Sequence, residues 1–240
     1  MTSKVFCAID TTDLKQAQNW ISSITPHIHG IKLGMEFFYT HGKSGVEKAL
    51  SQADQNTEIF LDLKLHDIPN TVVGALRAVQ NLSPKFITLH GAGGRKMIEA
   101  ASEYAAQHLP NTQLLAVTIL THLAEEDMGD IGYQNAVTDQ VLKLGHLAKE
   151  SGAHGLVCSP KEISALRQTL GSDLTLMVPG IRPASTAVQK DDQTRVMTPK
   201  EALETGASHL VIGRPITQAD SPADAADRIV KEITPCIAAA

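Results

Sequence analysis

Aromatic side chains are scarce in this chain, at 4% of residues with a single tryptophan, while hydrophobic residues as a whole reach 42%. An interior that apolar and that poor in rings is aliphatic, the usual material of an α/β protein. Positive charge is in deficit: Lys and Arg number 21 against 26 Asp and Glu, for a net charge of −5. This argues against nucleic acid or an anionic membrane as partner, and any bound anion must be held by a local cluster. Cysteine is limited to Cys7, Cys158 and Cys236, an odd number without a CxxC pair. Cys7 and Cys158 fall in apolar strand-like runs, where a small core residue is the expected role. A reducing cytoplasm is the expected compartment. No apolar run approaches membrane-spanning length, and strand-like sequence begins by Val5, so neither a membrane helix nor a leader peptide is expected. Linkers, low-complexity stretches and composition breaks are missing too, which predicts one domain over residues 1–240.

What is present is alternation. Short β-rich apolar runs, Val5–Asp10, Gly30–Gly34, Ile59–Leu65, Phe86–His90, Leu114–Leu120, Gly155–Ser159, Leu174–Val178 and Leu210–Gly213, are separated by segments of helical period. Helices are predicted over Leu14–Ile24, Ala92–His108, Asp139–Ser151 and Ala223–Ile233. Eight βα units in a chain of this length predict an α/β fold of the parallel (β/α)₈ barrel type. A doubly wound open sheet is the alternative, but the turn Asp10-Thr11-Thr12-Asp13 has none of the glycines of a dinucleotide-binding loop.

The stretch Phe60–Thr71, FLDLKLHDIPNT, breaks the apolar rule. On a strand, Ile59, Leu61, Leu63 and Leu65 share one face while Asp62 and Lys64 share the other. Buried parallel strands are normally apolar throughout. Two opposite charges on one face near the strand's C-terminal end, with Asp67 in the turn beyond, therefore mark a candidate site. Asp67 has two readings, a site carboxylate or the N-cap of a helix opened by Pro69.

In a barrel of this type the site forms at the C-terminal ends of the strands. Those ends offer Asp10, Lys32, Asp62 with Lys64, His90, Thr121-His122, the run Pro179-Gly180-Ile181-Arg182, and Gly213-Arg214-Pro215. His66, His90 and His122 show no metal-binding spacing and are read as ordinary rim residues. The segment 180–197 carries Arg182, Ser185, Thr186, Gln189, Gln193 and Thr194 and has the length of a binding loop or lid. Barrels often bind phosphate between the loops after strands seven and eight. Gly213 would let the main chain approach such a group, and Arg214 can make a paired charged contact with it.

Asp62-x-Lys64-x-x-Asp67 followed by Ile68-Pro69-Asn70-Thr71 resembles the signature of the orotidine 5′-phosphate decarboxylase family. Ala8-Ile9-Asp10, Lys32-Leu33-Gly34, Thr121, Pro179-Gly180-Ile181-Arg182-Pro183 and Val211-Ile212-Gly213-Arg214-Pro215 agree with it, in order, from residue 5 to about 220. The resemblance implies conversion of orotidine 5′-monophosphate to uridine 5′-monophosphate and CO₂, with no metal and no organic cofactor. It implies a homodimer in which Asp67 and Thr71 serve the partner's site. Lys64 would be the proton donor in an array with Asp62, Lys32 and Asp67. Asp10 and Lys32 would contact the ribose, Thr121 the pyrimidine, and Gln193, Gly213 and Arg214 the phosphate, with Arg182 opening the closing loop. Magnesium-dependent phosphosugar lyases on the same barrel share the Asp-x-Lys-x-x-Asp run but need an acid where this chain has Lys32, and an ammonium cannot ligate a hard cation. A non-catalytic nucleotide-binding barrel is the third reading, disfavoured because holding an anion does not require two carboxylates.

Overall fold

The computed structural model describes residues 4–183 and 197–238, and among them eight parallel strands close on themselves in chain order. The strands are β1 (Val5–Ala8), β2 (Gly30–Gly34), β3 (Glu58–Leu65), β4 (Phe86–His90), β5 (Gln113–Val117), β6 (Gly155–Val157), β7 (Thr175–Val178) and β8 (His209–Ile212). The helices are α1 (Leu14–Ile24), α2 (Met35–Leu50), α3 (Pro69–Val79), α4 (Arg95–His108), α5 (Glu125–Asp130), α6 (Val137–Glu150), α7 (Ile163–Leu170), α8 (Pro199–Thr205), α9 (Arg214–Thr217) and α10 (Pro222–Ala238). The register Val5↔Leu210, Phe6↔Val211, Cys7↔Ile212 joins the last strand to the first. This is the (β/α)₈ barrel that the alternation of runs predicts.

Helix α1 shows how local sequence builds each unit. The Asp13 carboxylate accepts from the N–H groups of Lys15 and Gln16 at 2.8 and 3.1 Å, satisfying donors the first turn leaves open. Ala17, Ile21 and Ile24, spaced by four and three, then bury one stripe against the barrel. Several expected boundaries move inward: β1 stops at Ala8 and β5 at Val117, so Asp10 and Thr121 stand beyond their strands. Helix α4 starts later than expected because Gly91–Gly93 forms a 3₁₀ turn and Gly94 turns at φ 81°.

Strand alternation sorts the core into two layers. Residues such as Cys7, Ile31, Leu61, Ile87, Ala116 and Leu210 point outward and pack under the helices. Phe6, Phe60, Phe86, Leu115, Met177 and Val211 fill the barrel itself. Three of the few aromatics meet there edge to face, with centroids 5.5 to 6.2 Å apart. Their bulk is accommodated by Gly30, where a Cβ would overlap the Phe6 ring and the Glu58 carbonyl.

Beneath Phe6, the rings of His29 and His209 stack at 5.5 Å, and His29 Nε2 lies 2.7 Å from Glu58 Oε2. Burial above all, with His29, Lys4 and Lys85 in the same direction and Glu58 opposing, pushes the His209 imidazole down to about 4. The unfolded chain therefore takes up a proton at this residue from about pH 6.5 downward, and the folded chain holds it neutral until about pH 4. The difference destabilises the fold as pH falls through that window, by about 3 kcal/mol in all. Urea unfolding at pH 7 and at pH 4.5 should show the loss, and His209→Phe should flatten it. An equally steep decline in the variant would locate the acid sensitivity elsewhere.

Candidate active site

Strand β3 carries the centre of the site. Leu61 pairs with Ile87 and Leu65 with Leu89, so β3 spends four residues where β4 spends two. The surplus forms an irregular bulge that places Lys64 at φ 47°, a conformation that costs a non-glycine residue roughly 1–3 kcal/mol. Bulges of this kind re-aim side chains and recur beside active sites. Leu61 and Leu63 still join the outer core and Asp62 and Lys64 face the barrel mouth, as simple alternation predicts.

The charges are brought together. Lys64 Nζ lies 2.8 Å from Asp62 Oδ2, and Lys32 Nζ lies 3.7 Å from the same oxygen and 3.3 Å from Asp10 Oδ1. Asp62 and Lys32 are nearly buried, with side chains 13% and 12% exposed. Burial alone would raise the Asp62 carboxyl, but Lys32, Lys64 and the Thr88 hydroxyl outweigh it and hold it below the ordinary value. The magnitudes agree: a pair ~4 Å apart at an effective dielectric of ~20 is worth about 4 kcal/mol. Two such ammoniums exceed a burial penalty of several kcal/mol. Asp62 is therefore ionised at neutral pH.

These groups floor a cavity of about 280 Å³ at the C-terminal ends of the strands. Asp10, Lys32, Asp62, Lys64, Thr121, Arg182, Gly213 and Arg214 all line it. Its charged lining has two more cations than anions, inside a chain of net charge −5. The opposite wall is apolar, formed by Val117, Ile119, Val157, Pro179 and Val211. Gly180 turns at φ 77° on the cavity lining, and Arg182 N–H bonds the Met197 carbonyl at 3.0 Å. Gly213 packs against the end of β1, where a Cβ would sit 3.3 Å from that of Ala8.

Not every expected residue joins this cavity. Asp67 and Thr71 are exposed; Asp67 lines a neighbouring groove with His66, Pro69, Gly93 and Lys96 instead. Asp67 does not cap α3 either. Ile68 occupies that position without a side-chain bond, Pro69 begins the helix as expected, and Asp67 Oδ1 accepts the N–H of the adjacent Ile68 at 2.6 Å. Gln193 lies outside the described residues, as do Ser185, Thr186, Gln189 and Thr194. His66 and His90 stack at 5.0 Å, and burial, with His66 and Lys64 nearby, pushes the His90 imidazole below its ordinary value.

One participant escaped sequence reasoning. Thr88 is fully buried on β4, its hydroxyl 2.8 Å from Lys64 N and 2.9 Å from Asp62 Oδ1. The available signal was parity: Thr88 stands two residues after inward-facing Phe86, a polar side chain on the interior face of an apolar strand.

A parallel (β/α)₈ barrel with a recessed, cation-rich cavity at its C-terminal rim belongs to the class of barrel enzymes acting on small anionic, commonly phosphorylated, substrates. A family model described as "Orotidine 5'-phosphate decarboxylase / HUMPS family" matches residues 3–229, and the chain belongs to that family. It is 44% identical over 233 residues to the orotidine 5′-phosphate decarboxylase of Thermobifida fusca, covering 97% of each chain. It is 45% identical over 235 residues to that of Gluconobacter oxydans, covering 96% of this chain and 97% of the relative. A crystal structure of orotidine 5′-phosphate decarboxylase from Lactobacillus acidophilus superposes with a TM-score of 0.84 at 37% identity, covering 98% of this chain and all of the other.

Proposed function

We propose that this protein decarboxylates orotidine 5′-monophosphate to uridine 5′-monophosphate, the last step of de novo pyrimidine nucleotide synthesis, without metal or organic cofactor. The observation that carries the reading is the single Asp62 carboxylate held between two ammoniums, Lys64 at 2.8 Å and Lys32 at 3.7 Å, on the floor of a cation-rich cavity. When the bond from C6 to the carboxylate breaks, its electron pair stays on C6 with no adjacent carbonyl to receive it. Lys64 stabilises that pair as a fixed ammonium and then transfers a proton to C6. Asp62 faces the departing carboxylate, and their repulsion is relieved as neutral CO₂ leaves. At ~4 Å and a dielectric of ~20 that relief is worth about 4 kcal/mol, small against enzymatic accelerations of ~8–23 kcal/mol. Preorganised stabilisation of the carbanion must therefore supply most of the effect.

The remaining roles are assigned as the family resemblance implies. Asp10 and Lys32 take the ribose hydroxyls, and Thr121 with the apolar wall takes the pyrimidine. Gly213 and Arg214 bind the phosphate, together with Gln193, and Arg182 stands at the entrance to the loop. Asp67 and Thr71 are assigned to the site of a partner subunit. Supporting this, both are exposed and neither lines the cavity of its own barrel. We place the enzyme in the cytoplasm, consistent with three free cysteines and with no helix among the described residues long and apolar enough to cross a membrane.

The other branch in the family description is distinguished by Lys32. An ammonium 3.3 Å from Asp10 and 3.7 Å from Asp62 stands where a divalent cation would need an acidic ligand. Turnover of orotidine 5′-monophosphate, followed by its absorbance, should survive exhaustive chelation unchanged. Activity lost with chelator and restored by magnesium would return the chain to metal-dependent chemistry.

A further inference from the structure

We infer that Thr88 is a positioning residue for the proposed decarboxylation, its single hydroxyl setting both the Asp62 carboxylate and the main chain that carries Lys64. The inference rests on the decarboxylase reading for its chemistry and on geometry for its substance. Thr88 Oγ1 accepts the Lys64 N–H at 2.8 Å, and its own proton is then directed to Asp62 Oδ1 at 2.9 Å. A hydroxyl has one proton to give, so accepting from an N–H and donating to an ionised carboxylate uses it in one fixed orientation. Asp62 is divided by this arrangement: Oδ1 is engaged by Thr88, leaving Oδ2 for Lys64 and Lys32. The second function concerns the bulge. Lys64 sits at φ 47° where β3 has slipped two residues against β4, and Thr88 lies on β4 between the paired Ile87 and Leu89. The hydroxyl reaches across the irregular stretch and pins the residue within it whose backbone conformation is unfavourable. No other neutral side chain donates to Asp62 among the described residues.

A residue acting this way should affect kcat more than substrate binding, since the phosphate residues Gly213 and Arg214 follow β8, away from the β3–β4 pair that Thr88 joins. Thr88→Val keeps the shape and removes the hydroxyl; kcat should fall about 100-fold, the scale of an ångström-level misplacement. KM for orotidine 5′-monophosphate should stay within about threefold. Thr88→Ser keeps the hydroxyl and removes the methyl; it should recover kcat to within about threefold of the parent. A purely packing role predicts the reverse order, with serine the worse variant. If valine prevents folding, Thr88→Cys, of similar shape and weaker hydrogen bonding, should show the same kcat-selective loss. Amide exchange at Lys64 gives a second readout free of turnover: protected in the parent and in Thr88→Ser, accelerated in Thr88→Val. Parent enzyme that fails to turn over orotidine 5′-monophosphate would defeat the decarboxylase reading, and the exchange data would still decide what Thr88 holds. Thr88→Val with near-parental kcat and unchanged Lys64 protection would overturn the inference itself.

Discussion

Replacing Lys64 with alanine should lower turnover of orotidine 5′-monophosphate at least ~10⁴-fold, because a general-acid contribution of ~10²–10⁴ and an electrostatic one of ~10²–10³ are lost together. Binding of uridine 5′-monophosphate should change little. The asymmetry follows from placement: Lys64 reaches the cavity from the β3 bulge, beside Asp62, whereas Gly213 and Arg214 approach from the end of β8. Asp62 keeps Lys32 at 3.7 Å in the variant, so its carboxylate remains charged and partnered, and the cavity remains cation-rich. Turnover kept within about tenfold, ~1.4 kcal/mol of barrier, would remove Lys64 from the role of proton donor.

Mixing two dead variants should restore activity. Asp67 is exposed and lines a groove beside its own barrel's cavity, not the cavity itself. If it completes the site of a partner subunit, a heterodimer of Asp67→Ala and Lys64→Ala chains has one site with both lesions and one with neither. Activity should rise from the background of either variant toward one native site per heterodimer. If Asp67 serves its own barrel, every site carries a lesion and mixing changes nothing. Mass spectrometry of the mixture would establish that subunits had exchanged. Exchange without recovered activity would sink the shared-site arrangement.

How far the sequence reached is clearest around β3. The alternation of Leu61 and Leu63 with Asp62 and Lys64 predicts two faces, and the faces are there, because parity is a local property of an extended backbone. The gathering of Asp10, Lys32, Asp62, Thr121, Arg182 and Arg214 also follows from the rule that barrel sites form at one rim. The bulge does not follow. Whether Leu65 pairs with Leu89 or with a residue further along is decided by cross-strand register, which no run of residues within β3 encodes. For Thr88, parity with Phe86 marks only an inward-facing hydroxyl; that it lies opposite the bulge depends on the same register. Asp67 illustrates a different limit. Asp-Ile-Pro is compatible with a cap, yet the carboxylate bonds the N–H of Ile68 and leaves the helix start uncapped by any side chain. Composition suggests either outcome; the backbone at Ile68, φ −58° and ψ 153°, selects one.

The central claim is that the chain cleaves the bond between C6 and the carboxylate and that a proton from the enzyme replaces it. The most direct measurement incubates purified protein with orotidine 5′-monophosphate in D₂O under chelation and follows products by NMR and by CO₂ release. The account predicts one CO₂ per uridine 5′-monophosphate formed and a single deuterium, located at C6, carried there by an exchanged Lys64 ammonium. Absence of uridine 5′-monophosphate, or its appearance only when a divalent metal is returned, would contradict it.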